Sequence, residues 1–226
     1  MAKQRFIRRE FAVAEPDAST THHHQQPVAR TQFDPNQGNI FLVGLRASGK
    51  STVGRALASR MGLAFVDMDT AITEHAGSSI REIVHHEGWE GFRRMEHETL
   101  VSICQQTGHV VATGGGVVLL PQNRDLLVQH GQVFYLMADL PLLQSRLSQD
   151  PQANNRPALG NAPLDQELQV TFQEREPLYF QVMHHILQAH KPVPDLLQDA
   201  LMALGHAPWT ANDQEATRTD FGDEDV

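Results

Sequence analysis

Short apolar runs alternate with longer amphipathic stretches through the middle of the chain. Ile40–Val43, Ala64–Asp67, Val110–Ala112, Val133–Met137 and, with a weaker pattern, His185–Gln188 read as strands. Helical spacing of apolar residues marks Lys50–Met61, Thr70–Glu74, Ile80–His86, Glu90–Gln106, Gln122–His130, Pro141–Ser148, Leu164–Met183 and Val193–Leu204. Ser79-Ile80-Arg81-Glu82 has the form of a capping box, so a helix is expected to start there. Pro141 suits a first helical turn. Strands separated by helices pair in parallel through right-handed crossovers, which makes the fold class α/β with helices on both sheet faces. No internal repeat is visible. In such sheets ligands bind beyond the carboxyl ends of the strands, so those ends are where chemistry is to be sought.

Both flanks lack this periodicity. Residues 1–37 are polar and mixed and read as a flexible extension, residues 38–206 as the folded domain, and residues 207–226 as a flexible acidic tail. His22-His23-His24 reads as solvated coil, because nothing nearby would fix a metal's geometry. The formal net charge of −9 argues against a nucleic-acid surface while leaving room for a local basic pocket. The single cysteine, Cys104, excludes an internal disulfide and falls in an apolar helical stretch, where core packing is expected. No apolar stretch reaches membrane-spanning length and Met1–Ala14 lacks a signal-peptide segment, so a soluble, cytoplasmic, monomeric protein is expected, with no membrane or nucleic-acid partner.

The first strand is followed by Gly44-Leu45-Arg46-Ala47-Ser48-Gly49-Lys50-Ser51, which matches G-x-x-x-x-G-K-[ST]. Strand, glycine-rich loop and helix in that order form a cradle for polyphosphate. Backbone N–H groups point at the anion from the positive end of the helix, Lys50 reaches the outer phosphates and the Ser51 hydroxyl holds Mg²⁺. The second strand ends in Asp67-Met68-Asp69, whose carboxylates would share a face if the strand continued. One would organise the metal and the other would receive an acceptor hydroxyl's proton; the alternative is one solvated acid and one helix cap, with Asp69 as the cap. The third strand ends in Thr113-Gly114-Gly115-Gly116, either a close-approach site for a ligand or a permissive turn. Arg93, Arg156 and Arg175 can each bind a carboxylate or phosphate by paired hydrogen bonds, or be surface charges. Arg156 lies in a Pro/Asn/Gly-rich stretch, about residues 150–162, suited to a mobile lid. Trp89 and Phe92 would either wall a pocket or pack a helix start. The pairs His85-His86 and His184-His185 read as solvated or capping residues, since helix neighbours point in different directions.

Taken in order, Gly44–Ser51, Asp67-x-Asp69, Phe92-Arg93-Arg94-x-Glu96, Gly114-Gly115-Gly116, Arg156-Pro157 and Arg175-x-Pro177-Leu178-Tyr179 resemble the shikimate kinases over about Asn39–Leu204. The resemblance implies a P-loop kinase fold: a central five-stranded parallel sheet, helices on both faces and a mobile lid. It implies transfer of the ATP γ-phosphoryl group to the 3-hydroxyl of shikimate, with one Mg²⁺ per subunit. Ala47, Ser48, Gly49, Lys50, Ser51 and Thr52 would wrap ATP, and Ser51 and Asp67 would serve the metal. Asp69, Arg93, Gly114, Gly115, Gly116 and Arg175 would bind shikimate, Glu96 would orient Arg93, and Lys50, Asp69 and Arg156 would be catalytic. Two other readings compete: a ligand-sensing protein of the same fold without turnover, and a kinase of another hydroxy acid such as gluconate. The lid start, Gln149-Asp150-Pro151-Gln152, lacks the basic residues common in the family, and the adenine segment would fall near His190-Lys191-Pro192.

Overall fold

The computed structural model describes residues 32–149 and 163–207. Five strands, β1 (Asn39–Val43), β2 (Ala64–Asp67), β3 (His109–Ala112), β4 (Gly131–Met137) and β5 (His185–Gln188), form one sheet in the order β2-β3-β1-β4-β5. All four pairings are parallel; Leu42 in the middle strand lies beside Ala112 on one side and Phe134 on the other. The chain leaves β1 for the β2 edge, returns to β3, and then crosses to β4 and β5. The carboxyl end of β1 therefore sits at the point where the strand order reverses, the usual ligand crevice of this architecture.

Among the described residues seven helices accompany the sheet: α1 (Lys50–Met61), α2 (Met68–Ala76), α3 (Ile80–Cys104), α4 (Pro121–Gln129), α5 (Leu140–Gln149), α6 (Leu164–Val182) and α7 (Val193–Ala203). The β1 run is apolar at every position because both faces are covered. Ile40 and Leu42 pack with Leu57 of α1 and Leu197 of α7; Phe41 and Val43 pack with Leu100 of α3, Leu127 of α4 and Tyr179 of α6. Among the described residues no helix is long and apolar enough to cross a membrane.

The elements fall where the hydrophobic pattern places them, with informative differences. The two segments expected at Ile80–His86 and Glu90–Gln106 are joined, with Gly88 alone breaking the helical path at φ 70° and ψ 179°, a backbone region open to glycine. Ser79 caps α3 with the expected reciprocal bonds to Glu82. The glycine triplet runs into a 3-10 turn, Val117–Leu119, that the pattern does not announce. Residues 32–37, counted from the sequence as the end of the extension, form a turn held by Asp34, and Phe33 packs beside the α1/α7 cluster while its N–H donates to Leu204 O at 2.9 Å. Cys104 packs, half-buried, against the larger core cluster.

Candidate active site

The phosphate loop occupies the switch point. Ala47 holds a left-handed φ of 63°, rare for a residue with a Cβ, and Gly49 at φ 99° delivers the chain into α1. The first turn of α1 presents N–H groups with no partner inside the helix. Lys50 is buried; its Nζ donates to Leu45 O at 2.7 Å and lies 3.4 Å from Ser48 Oγ, so the ammonium lies over the loop. Arg146 of α5, which no sequence motif flags, braces the loop from outside. Its Nη1 donates to Ala47 O (3.2 Å) and Ser48 O (3.0 Å), and its Nη2 to Ala189 O (2.9 Å) beyond β5.

Beside the loop, Ser51 Oγ donates to Asp67 Oδ2 at 2.5 Å. The strand does not continue through Asp69: it ends at Asp67, and α2 begins at Met68. Asp67, rather than Asp69, is the helix cap, its Oδ1 accepting from Asp69 N (3.1 Å) and Thr70 N (3.4 Å). The shared-face argument thus fails, and the helical turn separates the two acids. Asp67 stays with Ser51, and Asp69 faces a different hollow. Mg²⁺ binds through one or two protein oxygens plus phosphates and water, so the Ser51–Asp67 oxygen pair fits it. Among the described residues no cluster of three acidic, histidine or cysteine side chains offers a dedicated all-protein cage.

That second hollow is a cavity of about 100 Å³ lined by Asp69, Arg93, Glu96, Gly114, Gly115, Gly116 and Arg175, with Leu45 and Arg46 from the phosphate loop closing it on one side. Trp89 and Phe92 wall it and also pack edge to face, centroids 5.9 Å apart, so both readings of this pair hold. Arg93 Nη1 donates to Glu96 Oε2 at 2.5 Å, and the guanidinium lies 5.6 Å from the Trp89 ring and 5.2 Å from that of Phe92. Glu96 is wholly buried. Burial pushes its carboxyl above the ordinary range and the Arg93 charge pulls it back. Burial lowers the Arg175 guanidinium from its ordinary value. Glu96 Oε1 and Arg175 Nε find no hydrogen-bond partner among the described residues. Each such buried orphan costs about 1–3 kcal/mol, so the hollow favours a guest bringing both donor and acceptor groups.

Crowding explains Gly114 and Gly116. A Cβ on Gly116 would overlap the Arg93 guanidinium, and one on Gly114 would stand 2.5 Å from Glu96 Oε1 and 3.2 Å from Asp69 Oδ1. Gly115 lies against the phosphate-loop backbone: a Cβ there would be 3.4 Å from both Gly44 O and Arg46 N. Thr113 ties the end of β3 to β1 through Leu42 O (2.9 Å).

Sequence reasoning missed Arg46, Arg146 and the α6 face bearing Glu167 and Thr171, which lines the same cavity. The i, i+4 spacing of Thr171, Arg175 and Tyr179 was the available signal for that face. Arg156 and the expected lid, residues 150–162, lie outside the described residues. In the expected adenine segment, Lys191 pairs with Asp199 at 2.6 Å. His85 and His86 are exposed, as expected, and His184 acts as a cap of a different kind, its Nδ1 accepting the Val133 N–H at 3.0 Å.

A phosphate loop at the switch point of a five-stranded parallel sheet, with an acceptor hollow sharing the loop's own Arg46, defines a P-loop kinase acting on a small molecule. Comparison with known proteins narrows the class. The family model for shikimate kinase matches residues 46–204. Shikimate kinase 2 of Yersinia enterocolitica is 42% identical over 165 residues, covering 73% of this chain and 94% of that protein. Shikimate kinase 2 of Dickeya chrysanthemi is 45% identical over 153 residues, covering 68% and 88%. The solved shikimate kinase from Acinetobacter baumannii in complex with shikimate superposes with a TM-score of 0.70 at 36% identity, over 74% of this chain and 93% of that one. The chain belongs to the shikimate kinase family and is an ATP-dependent kinase.

Proposed function

We propose that this chain transfers the γ-phosphoryl group of ATP to the 3-hydroxyl of shikimate, releasing ADP and shikimate 3-phosphate, with residues 38–206 as the working unit. The observation that carries this reading is that Asp69, Arg93, Glu96, Gly114–Gly116 and Arg175 line one cavity that the phosphate loop also lines. Arg93 and Arg175 line that cavity, and either guanidinium can hold a substrate carboxylate by paired hydrogen bonds. Asp69 in the same lining accepts the hydrogen bond of the attacking hydroxyl and takes its proton as the new P–O bond forms and the bond to ADP breaks. The backbone N–H groups of Ala47–Thr52 cradle the phosphates. Lys50 exchanges Leu45 O for phosphate oxygen and neutralises charge on the transferring group. Ser51 and Asp67 are the residues that would hold Mg²⁺, which when bound neutralises the β- and γ-phosphate charge. On the strength of the sequence resemblance, Arg156 would bind ATP and stabilise the charge of the transferring phosphoryl group. A monomer in the cytoplasm is the expected setting.

The ligand-sensing alternative expects the loss of Asp69, Arg93 or Arg175; all three are retained and line one cavity. The test is ADP release by the purified chain with ATP, Mg²⁺ and shikimate, with gluconate as the comparison acceptor. Shikimate-dependent ADP is expected, and Asp69→Asn should lower kcat roughly 10²–10⁴-fold while nucleotide binding persists. Tight shikimate binding without ADP would point to the sensor reading instead.

A further inference from the structure

In the motif Arg175-x-Pro177-Leu178-Tyr179, Tyr179 is the buried polar residue still without a role. Tyr179 is wholly buried and sits one helical turn beyond Arg175 on the same face of α6. Its hydroxyl donates to Gly115 O at 2.6 Å, and the charge of the Arg175 guanidinium acts on the same phenol. The ring stacks on Tyr135 of β4, centroids 5.0 Å apart and planes 26° apart, so the phenol cannot swing away without opening the core. The phenol therefore ties the face of α6 that carries Arg175 to the glycine turn, through Tyr179 O–H to Gly115 O. Burial raises the Tyr179 phenol well above its ordinary range, which keeps the donated proton in place.

Gly115 is the place where the acceptor hollow meets the phosphate loop, tight against the backbone of Gly44 and Arg46. A glycine there has no side chain to hold its peptide in one orientation. The peptide is planar and trans, so fixing the Gly115 carbonyl also fixes the direction of the Gly116 N–H, which points the opposite way. We propose that Tyr179 is a positioning residue that holds the glycine turn and Arg175 in one register before the acceptor arrives. It sets where the substrate carboxylate and ring lie relative to the phosphate loop, and makes no contact with substrate itself. The inference rests on the shikimate kinase reading above.

Tyr179→Phe keeps the stacked ring and deletes the bridging oxygen. The expected result is a rise of about tenfold in KM for shikimate, a smaller fall in kcat, and a KM for ATP within about twofold of wild type, because the buried Gly115 carbonyl loses its donor on the acceptor side alone. Tyr135→Phe removes the neighbouring hydroxyl of the same stack, which bonds Glu176 and not Gly115. It should leave both KM values within about twofold. An unchanged shikimate KM in Tyr179→Phe, an equal rise for both substrates, or an equal effect of Tyr135→Phe overturns the proposal. Amide hydrogen exchange on the wild-type protein supplies a measure independent of any variant. Val117 and Leu119, whose N–H groups donate to Gly114 O and Gly116 O across the turn, should be protected without shikimate, and rapid exchange there also overturns it. Wild-type protein that releases no ADP with shikimate sinks the functional reading, whereas normal wild-type turnover with an unaltered Tyr179→Phe sinks this one alone.

Discussion

The phosphate loop and the acceptor hollow share a wall, yet they are built in opposite ways. The loop is one stretch of eight residues whose shape comes from its own glycines, from Ala47 in a left-handed conformation, and from the start of α1. The hollow draws Asp69 from α2, Arg93 and Glu96 from α3, the glycines after β3 and Arg175 from α6, and exists only once four elements pack. A local motif tolerates no substitution of its reacting group but needs little outside help; here the outside help is Arg146. A dispersed site depends on residues behind its lining, such as Tyr179 behind Gly115. The two regions should therefore fail differently: loop changes in nucleotide chemistry, hollow changes in acceptor recognition.

The sharpest test of that contrast is Lys50→Met. Removing the one loop ammonium that can reach transferring phosphate should lower kcat by about 10²–10³-fold or more, with shikimate binding retained in a direct binding measurement. Loss of shikimate affinity in equal measure would mean that the regions are not separable. Next in size, Arg93→Lys should raise KM for shikimate roughly 10–100-fold with KM for ATP little changed. A lysine cannot reproduce both the bond to Glu96 and a paired bond to a carboxylate, and its partner would be left buried with a weaker companion. Steady-state kinetics with each substrate varied in turn reads this out.

Arg146→Met should give a milder loss on the nucleotide side. Three carbonyls lose their donor, two of them on the loop, so KM for ATP should rise by about tenfold while KM for shikimate holds. An effect confined to shikimate would place Arg146 in the wrong region. The smallest effect is expected at His184, away from both. Burial of its ring holds the imidazole below its ordinary value, and the neutral ring accepts the Val133 N–H. A depressed histidine stabilises the fold above its ordinary pKa, and that contribution is lost as pH falls through the folded value. The advantage of wild type over His184→Gln in Tm should therefore shrink by about 1–2 °C between roughly pH 7.5 and pH 5.5. A gap that widens on acidification would reverse the assignment.

The same division governs what could be read from the chain before it was seen folded. β1, the loop and α1 are legible because strand run, glycine spacing and helix start are contiguous, and α1 begins and ends where the pattern puts it. The capping box at Ser79 is legible for the same reason. The acid pair is misread in its geometry, since alternation along a strand presumes that the strand continues, and Asp67 ends it by capping α2. The residues alone leave each arginine either a carboxylate binder or a surface charge, and only the family resemblance chooses, because an isolated arginine has the same local pattern whether it faces water or a hollow. Arg146 shows the limit: between Leu143 and Leu147 it looks like any helical surface residue, and its carbonyl partners lie some 43 to 99 positions away in sequence.

By itself the sequence determined the alternation of strands and helices, the phosphate loop and the identity of the residues able to bind carboxylate. All of these follow from short-range periodicity, backbone freedom and side-chain chemistry. Tertiary structure decided which of those residues meet. Strand order brings the end of β3 beside the loop, and α6 carries Arg175 and Tyr179 across to Gly115. The crowding of Arg93 and Glu96 against the glycines then leaves an opening where a guest fits. The physical reason is that burial, charge pairing and close approach are properties of the packed chain, and spacing along the chain does not carry them.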